Sequence, residues 1–111
     1  MKHVTEVLTE ARNLISDPKR WTQGAYARDA AGLRTEWDSP NAVCWCTIGA
    51  IGKAAEVASE HHPLVVRAIK QLKRAIGDRS ISRFNDSHIH AQVMNGFDKA
   101  IAHRETSDGH I

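Results

Sequence analysis

The sequence has no long apolar run and few cysteines, and this excludes several classes of protein. No apolar run approaches the roughly 18 residues of a membrane helix. The N-terminal segment MKHVTEVLTEARNL lacks the apolar stretch of a signal peptide. The chain holds only two cysteines, so a disulfide framework is not expected and both thiols are predicted to be reduced. We therefore expect a cytoplasmic protein with no membrane partner.

The common enzyme signatures are missing as well. There is no glycine-rich phosphate loop, no H-E-x-x-H pair and no G-x-S-x-G elbow. The formal net charge of +2 is small for a dedicated nucleic-acid binder, which usually has a strongly basic domain. The basic residues from Arg67 to Arg83 are interpreted as the solvated face of a helix. These absences favour binding over catalysis and predict no cofactor and no nucleic-acid partner.

The rest of the composition is typical of one soluble domain. The chain has 111 residues, of which 41% are hydrophobic and 25% charged. Apolar residues recur every three or four positions in segments near 4–15, 41–60, 63–76 and 86–103, a pattern that predicts helices. Residues 19–40 lack this period, and Gly24 and Gly32 favour a hairpin with strands near 22–28 and 32–37, or an ordered loop.

The predicted fold class is therefore mostly α. We expect a small four-helix domain with a short β-hairpin or ordered loop between helices 1 and 2. A single domain is predicted for residues 1–104, followed by a flexible C-terminal tail at 105–111.

The segment AVCWCTIGAIG carries both cysteines. On the predicted helix, Cys44 and Cys46 point about 200° apart and cannot readily share a metal or a disulfide. Structural zinc usually needs four ligands in paired spacings, so no metal site is predicted. Cys46 lies near the predicted helix N-terminus, where thiol pKa values fall. One hypothesis is a cysteine enzyme with Cys46 as nucleophile and His88 or His90 as base. The alternative is that both cysteines are buried core residues.

Three short motifs follow one another along the chain: W-T-Q-G from Trp21, C-T-I-G-A from Cys46 and F-N-D from Phe84. With AYARDAAG between the first two, this order resembles an uncharacterised family of short bacterial and phage-borne proteins. That family has the motifs W-x-Q-G, C-x-x-G-A and [FW]-N-D. Its function is unknown, so the resemblance implies an architecture and candidate positions but no reaction. It favours Cys46 over Cys44, and by analogy it suggests a phage-related accessory or counter-defence role.

The motif residues combine polar groups with aromatic walls, as ligand pockets do. The predicted ligand-binding residues are Trp21, Gln23, Tyr26, Asp29, Cys46, Asn85 and Asp86. The structural alternative is that Asn85 or Asp86 caps the last helix and that Gln23 satisfies loop backbone groups.

We expect a small non-catalytic module that binds a small polar or anionic ligand, for example a nucleotide-like one. This hypothesis requires the three motifs to meet in space. The cysteine enzyme and a protein-interaction or homo-oligomerisation module are the alternatives.

Overall fold

The computed structural model describes the backbone of residues 2–108 and the side chains of residues 2–102. This part of the chain forms five α-helices and a small antiparallel sheet. The helices are α1 (Val4–Leu14), α2 (Thr47–Ala55), α3 (Pro63–Ile76), α4 (Ile81–Ser87) and α5 (His90–Asp108). The strands are β1 (Ala27–Arg28), β2 (Arg34–Thr35) and β3 (Cys44–Trp45), and a 3-10 turn covers Pro18–Arg20. The mostly α prediction is confirmed, with five helices rather than four.

Two helices follow their sequence patterns closely. Helix α1 buries Val7, Leu8 and Ala11 on one face and stops before Pro18, which cannot continue a helix. Helix α3 begins at Pro63 after the N-cap His62, and it ends at Gly77, whose φ of 74° is left-handed. None of the helices in residues 2–108 is long and apolar enough to cross a membrane.

The hairpin is present, but it belongs to a three-stranded sheet in the order β2-β1-β3. Ala27 pairs with Thr35 on one side and with Trp45 on the other. The turn between β1 and β2 is shaped by Asp29, whose carboxylate accepts hydrogen bonds from the backbone N–H groups of Ala31 (2.9 Å) and Leu33 (3.0 Å). Asp29 is thus a turn-forming residue.

The predicted helix at 41–60 is wrong at both ends. Residues Cys44–Trp45 form β3, because their backbone hydrogen bonds go to β1 and not along a helix. The Val43 N–H donates to the Arg28 carbonyl at 2.9 Å, and the Cys46 N–H donates to the Tyr26 carbonyl at 3.1 Å. Helix α2 begins only after Cys46, its N-cap, and it ends at Glu56 in the left-handed conformation (φ 59°).

The sequence pattern predicts no helix between the segments at 63–76 and 86–103, and this is also wrong. Residues Ile81–Ser87 form α4, which is capped by the Ser80 hydroxyl accepting from the Arg83 N–H at 3.2 Å. Asn85 and Asp86 therefore lie at the end of α4, and they do not cap the last helix as one interpretation held. Helix α5 begins at His90 and continues to Asp108, while residues 109–111 of the predicted tail lie outside the described residues.

Helix α1 lies at the centre of the packing and contacts α2, α3 and α5. All five helices contribute large side chains to the core around it, and α4 does so from its inner face. The largest of the fully buried apolar side chains are Phe97, Leu8, Ile15, Ile51, Leu72 and Ile81.

Two glycines allow the hairpin to lie directly on α2. A Cβ atom at Gly49 would stand 1.9 Å from the Tyr26 carbonyl oxygen. A Cβ atom at Gly52 would stand 2.3 Å from the Trp37 indole ring. The C-x-x-G spacing thus has a physical reason, because only glycine lets the backbone before β1 reach the first turn of α2.

We predict that Gly49→Ala destabilises the protein although alanine favours helix. The added methyl group must displace a backbone segment, which costs roughly 1–3 kcal/mol. Gly96→Ala is the matched control, because its Cβ would meet side chains and no backbone, namely the Ile76 Cγ2 methyl at 3.0 Å and the Phe84 ring at 3.4 Å. That variant should stay within about 1 kcal/mol of the parent protein. Urea denaturation measures both, and an equal stability of the two variants would contradict the close-approach argument.

Candidate functional site

The three motifs meet at the buried side chain of Asn85, which is 1% exposed. Its Oδ1 atom accepts hydrogen bonds from Trp21 Nε1 (2.8 Å), the Thr47 backbone N–H (3.0 Å) and the Thr47 hydroxyl (2.8 Å). Its Nδ2 group donates to the Thr22 carbonyl and to Asp86 Oδ1, both at 3.0 Å. One carboxamide therefore joins the loop after α1, the start of α2 and the end of α4.

Gln23 and Asp86 close the same junction from either side. Gln23 Nε2 donates to the backbone carbonyls of Asn85 (3.0 Å) and His88 (3.1 Å). Asp86 Oδ1 accepts from the Gly24 backbone N–H at 3.0 Å. The indole N–H of Trp21, the Nε2 group of Gln23 and the carboxamide of Asn85 are thus engaged within the protein, so these residues hold the junction together.

Arg28 is a member of this junction that the sequence did not single out. Its guanidinium donates to the Thr22 hydroxyl (3.0 Å), the Gln23 carbonyl (3.1 Å) and the Gly32 carbonyl (3.0 Å). It therefore ties the W-T-Q-G loop to the hairpin turn formed around Asp29. An isolated arginine carries no sequence signal for such a role.

Next to the junction lies an open cleft with a volume of about 610 Å³. It is bounded by the 24–26 loop, by β2, by the residue that precedes α2 and by one face of α4. The lining residues are Gly24, Ala25, Tyr26, Arg34, Thr35, Glu36, Cys46, Ser82 and Asp86.

Three of the predicted ligand-binding residues line the cleft, namely Tyr26, Cys46 and Asp86. The other four do not line it. Trp21, Gln23 and Asn85 belong to the junction behind the cleft, and Asp29 shapes the hairpin turn. Arg34, Glu36 and Ser82 were missed, because their place in the cleft depends on strand register and on α4.

Alternation along the sheet explains why these side chains converge. Ala27 and Trp45 point into the core and are buried. Continuing the observed pairing by one residue places Tyr26 between Glu36 and Cys46. Because side chains alternate between the faces of a strand, the continued register puts Tyr26, Glu36 and Cys46 on the opposite face. All three line the cleft, together with Thr35 from the Ala27 side.

Tyr26 is held at the cleft by its hydroxyl group. The hydroxyl donates a hydrogen bond to Glu60, and this bond, together with burial, raises the pKa of Tyr26 to about 12. The ring packs edge-on against Trp37, with ring centroids 5.5 Å apart. The tyrosine is therefore protonated at neutral pH, and the residue is 40% exposed.

Cys46 forms the floor of the cleft and is 5% exposed. Its sulfur accepts a hydrogen bond from the Gly49 N–H at 3.3 Å, as an N-cap side chain does. Burial raises the pKa of the Cys46 thiol to about 11, and this effect outweighs the hydrogen bonds that favour the thiolate. The thiol is therefore protonated at neutral pH.

The two histidines proposed as bases have other partners. His88 Nδ1 lies 2.8 Å from the Phe84 carbonyl oxygen, and its ring stacks on Phe84. His90 Nε2 lies 2.7 Å from the Ile15 carbonyl oxygen. Within residues 2–102, neither histidine forms a hydrogen bond with Cys46. The same residues contain no group of three or more His, Cys, Asp or Glu side chains suited to a metal ion.

We predict that Asn85→Ala lowers the free energy of unfolding by about 3 kcal/mol or more. The substitution leaves the buried donors of Trp21 and Thr47 without their acceptor, and each such loss costs about 1–3 kcal/mol. Asn95→Ala, at an exposed position on α5, is the control and should change stability by less than about 0.5 kcal/mol. Chemical denaturation followed by tryptophan fluorescence measures both, and a mild effect of Asn85→Ala would refute its central role.

A second prediction concerns the reactivity of Cys46. In the Cys44→Ser variant, iodoacetamide should label Cys46 roughly a hundredfold more slowly than free cysteine at pH 7, because the thiolate is the reacting form. The raised pKa means that the labelling rate should keep increasing up to pH 11. Mass spectrometry gives the rate, and rapid labelling at pH 7 would instead favour the cysteine-enzyme hypothesis.

Comparison with known proteins assigns the chain to a family. No curated protein and no solved structure shows significant similarity to the chain. The model of a family of unknown function, DUF6197, matches residues 1–103, which include all three motifs, the Asn85 junction and the cleft. The predicted resemblance to an uncharacterised family is thereby confirmed, and the chain belongs to this family of unknown function.

Proposed function

We propose that the protein is a small non-catalytic binding module that holds a small polar ligand in the cleft beside the Asn85 junction. The observation that carries the proposal is the cleft itself. Its volume of about 610 Å³ falls in the range of about 300–1,000 Å³ that is typical of small-molecule sites. Its lining combines an aromatic ring with a few polar and charged groups, as such sites usually do.

The rigidity of the walls supports the same function. The loop from Trp21 to Gly24 is tied to α4 by hydrogen bonds from Trp21, Gln23 and Gly24. Tyr26 is anchored to Glu60, and Cys46 is fixed as the N-cap of α2. A ligand would therefore meet a preformed surface and would not have to order one, which lowers the free-energy cost of binding.

Several groups on this surface are free to interact with a ligand. Among residues 2–102, Arg34 and Glu36 form no ion pair, whereas Lys2 and Arg12 do. The Cys46 sulfur accepts from Gly49, but its S–H finds no acceptor among the described residues. These groups supply two charges and a weak donor to a ligand in the cleft.

Binding is favoured over the cysteine-enzyme alternative by the state of the thiol. A nucleophilic cysteine needs a lowered pKa or an adjacent base, but burial raises the pKa of Cys46 to about 11. A nucleotide-like ligand, action in the cytoplasm and a phage-related accessory or counter-defence role stay predictions from the sequence and from the family resemblance.

The proposal predicts that a metabolite library contains a compound that raises the melting temperature of the protein. A ligand present at a hundred times its Kd adds about 2.7 kcal/mol of stability. Ser82→Trp should abolish this shift, because Ser82 is exposed on α4 and lines the cleft, which the indole would fill.

Arg83→Trp is the matched control for this experiment. It adds the same bulk at the next position of α4, which is exposed but does not line the cleft, so the ligand-induced shift should persist. Differential scanning fluorimetry measures both variants. A ligand whose shift survives Ser82→Trp binds elsewhere, and a library without any stabilising compound would refute the binding function.

A further inference from the structure

The cleft is lined by more negative than positive side chains. Arg34 contributes one positive charge, whereas Glu36 and Asp86 contribute one negative charge each. The lining is therefore net negative, although the whole chain has a formal net charge of +2. This sign does not favour a phosphate or carboxylate ligand, which the two carboxylates would repel.

The two carboxylates differ in how far the protein already uses them. Asp86 Oδ1 accepts from the Gly24 N–H and from Asn85 Nδ2, both at 3.0 Å, and this fixes the carboxylate while leaving Oδ2 available. Glu36 is exposed on the strand next to Tyr26, and it forms no ion pair among the described residues. Acceptors of this kind suit a group that carries several N–H donors.

Tyr26 adds an aromatic side chain to the cleft that these acidic residues line. The residue is 40% exposed and lies beside Glu36 in the continued register of the sheet. An exposed aromatic face attracts cations through its quadrupole. The carboxylates of Glu36 and Asp86 in the same cleft increase this preference for positive charge.

Resting on the proposed binding function, we infer that the ligand of the cleft carries a cationic amine or guanidine group, which Tyr26, Glu36 and Asp86 bind together. The guanidinium or ammonium N–H groups donate to the two carboxylates, and the cation lies against the tyrosine ring. Arg34, at the rim on β2, is then placed to pair with an anionic or carbonyl group elsewhere on the same molecule. This selects a cationic or zwitterionic small molecule over a nucleotide phosphate.

The test compares three probes by NMR titration of the whole protein. n-Butylguanidinium and n-butylurea have nearly the same shape, but only the first is positively charged, and AMP is the anionic probe. We expect n-butylguanidinium to shift the amide signals of Gly24, Ala25, Thr35 and Ser82 in a saturable manner. Its Kd should be at least about tenfold lower than that of n-butylurea, because hydrogen bonds to charged groups are the stronger ones.

Two variants locate the charge effect. Glu36→Gln removes an exposed charge, and Asp86→Asn removes a charge while retaining an oxygen that can accept from Gly24 and Asn85. Each should weaken n-butylguanidinium binding about tenfold and weaken n-butylurea binding less, because n-butylurea carries no charge. Asp98→Asn, which removes a carboxylate paired with Arg12 outside the cleft, should change neither. Amide spectra of each variant establish that it is folded.

The outcomes separate this inference from the proposed function. Equal binding of n-butylguanidinium and n-butylurea, or tighter binding of AMP at the same amides, overturns the cationic ligand but leaves the cleft as a binding site. If no probe and no library compound shifts these amides, both proposals fail. Retention of full n-butylguanidinium affinity in Glu36→Gln and Asp86→Asn also overturns the inference, because the cation would then bind through other groups.

Discussion

The buried carboxamide of Asn85 is the interaction on which the arrangement of the site depends. A carboxamide has both an acceptor oxygen and an N–H₂ donor, and here the two ends serve different segments of the chain. The oxygen takes donors from Trp21 and Thr47, while the nitrogen serves Thr22 and Asp86. At 1% exposure no water can replace these partners, so the segments must meet in this one geometry or leave polar groups unpaired.

The motif residues therefore supply shape, and other residues supply most of the charge that a ligand meets. Gly49 lets the hairpin lie on α2, and the Asn85 junction holds the loop against α4. These two contacts define the edges of the cleft. Its free charges, Arg34 and Glu36, come from strand β2 and from the residue that follows it, outside every motif, so they can be changed without disturbing the frame.

An element could be predicted from the sequence where contacts between near neighbours along the chain determine it, and could not where distant residues do. Helices α1 and α3 bury residues at intervals of three and four, and this period is visible locally. The apolar run from Ala42 to Cys46 has no such period, and its sequence suits a buried strand as well as a buried helix. Its residues form β3 because they pair with β1. Helix α4 is too short for a period to show, and Asn85 looked like a helix cap because its true partners lie more than 35 residues away along the chain.

The choice of cysteine at the N-cap of α2 follows from the balance between burial and capping. Helix N-termini stabilise a thiolate, but at 5% exposure desolvation dominates and raises the pKa to about 11. A serine in the same place would cap α2 equally well, yet its hydroxyl proton would need a buried acceptor of its own. The weakly polar S–H tolerates the lack of one. Cys46 can thus cap the helix and present an uncharged thiol to the cleft, so the charges that line the cleft come from Glu36, Asp86 and Arg34.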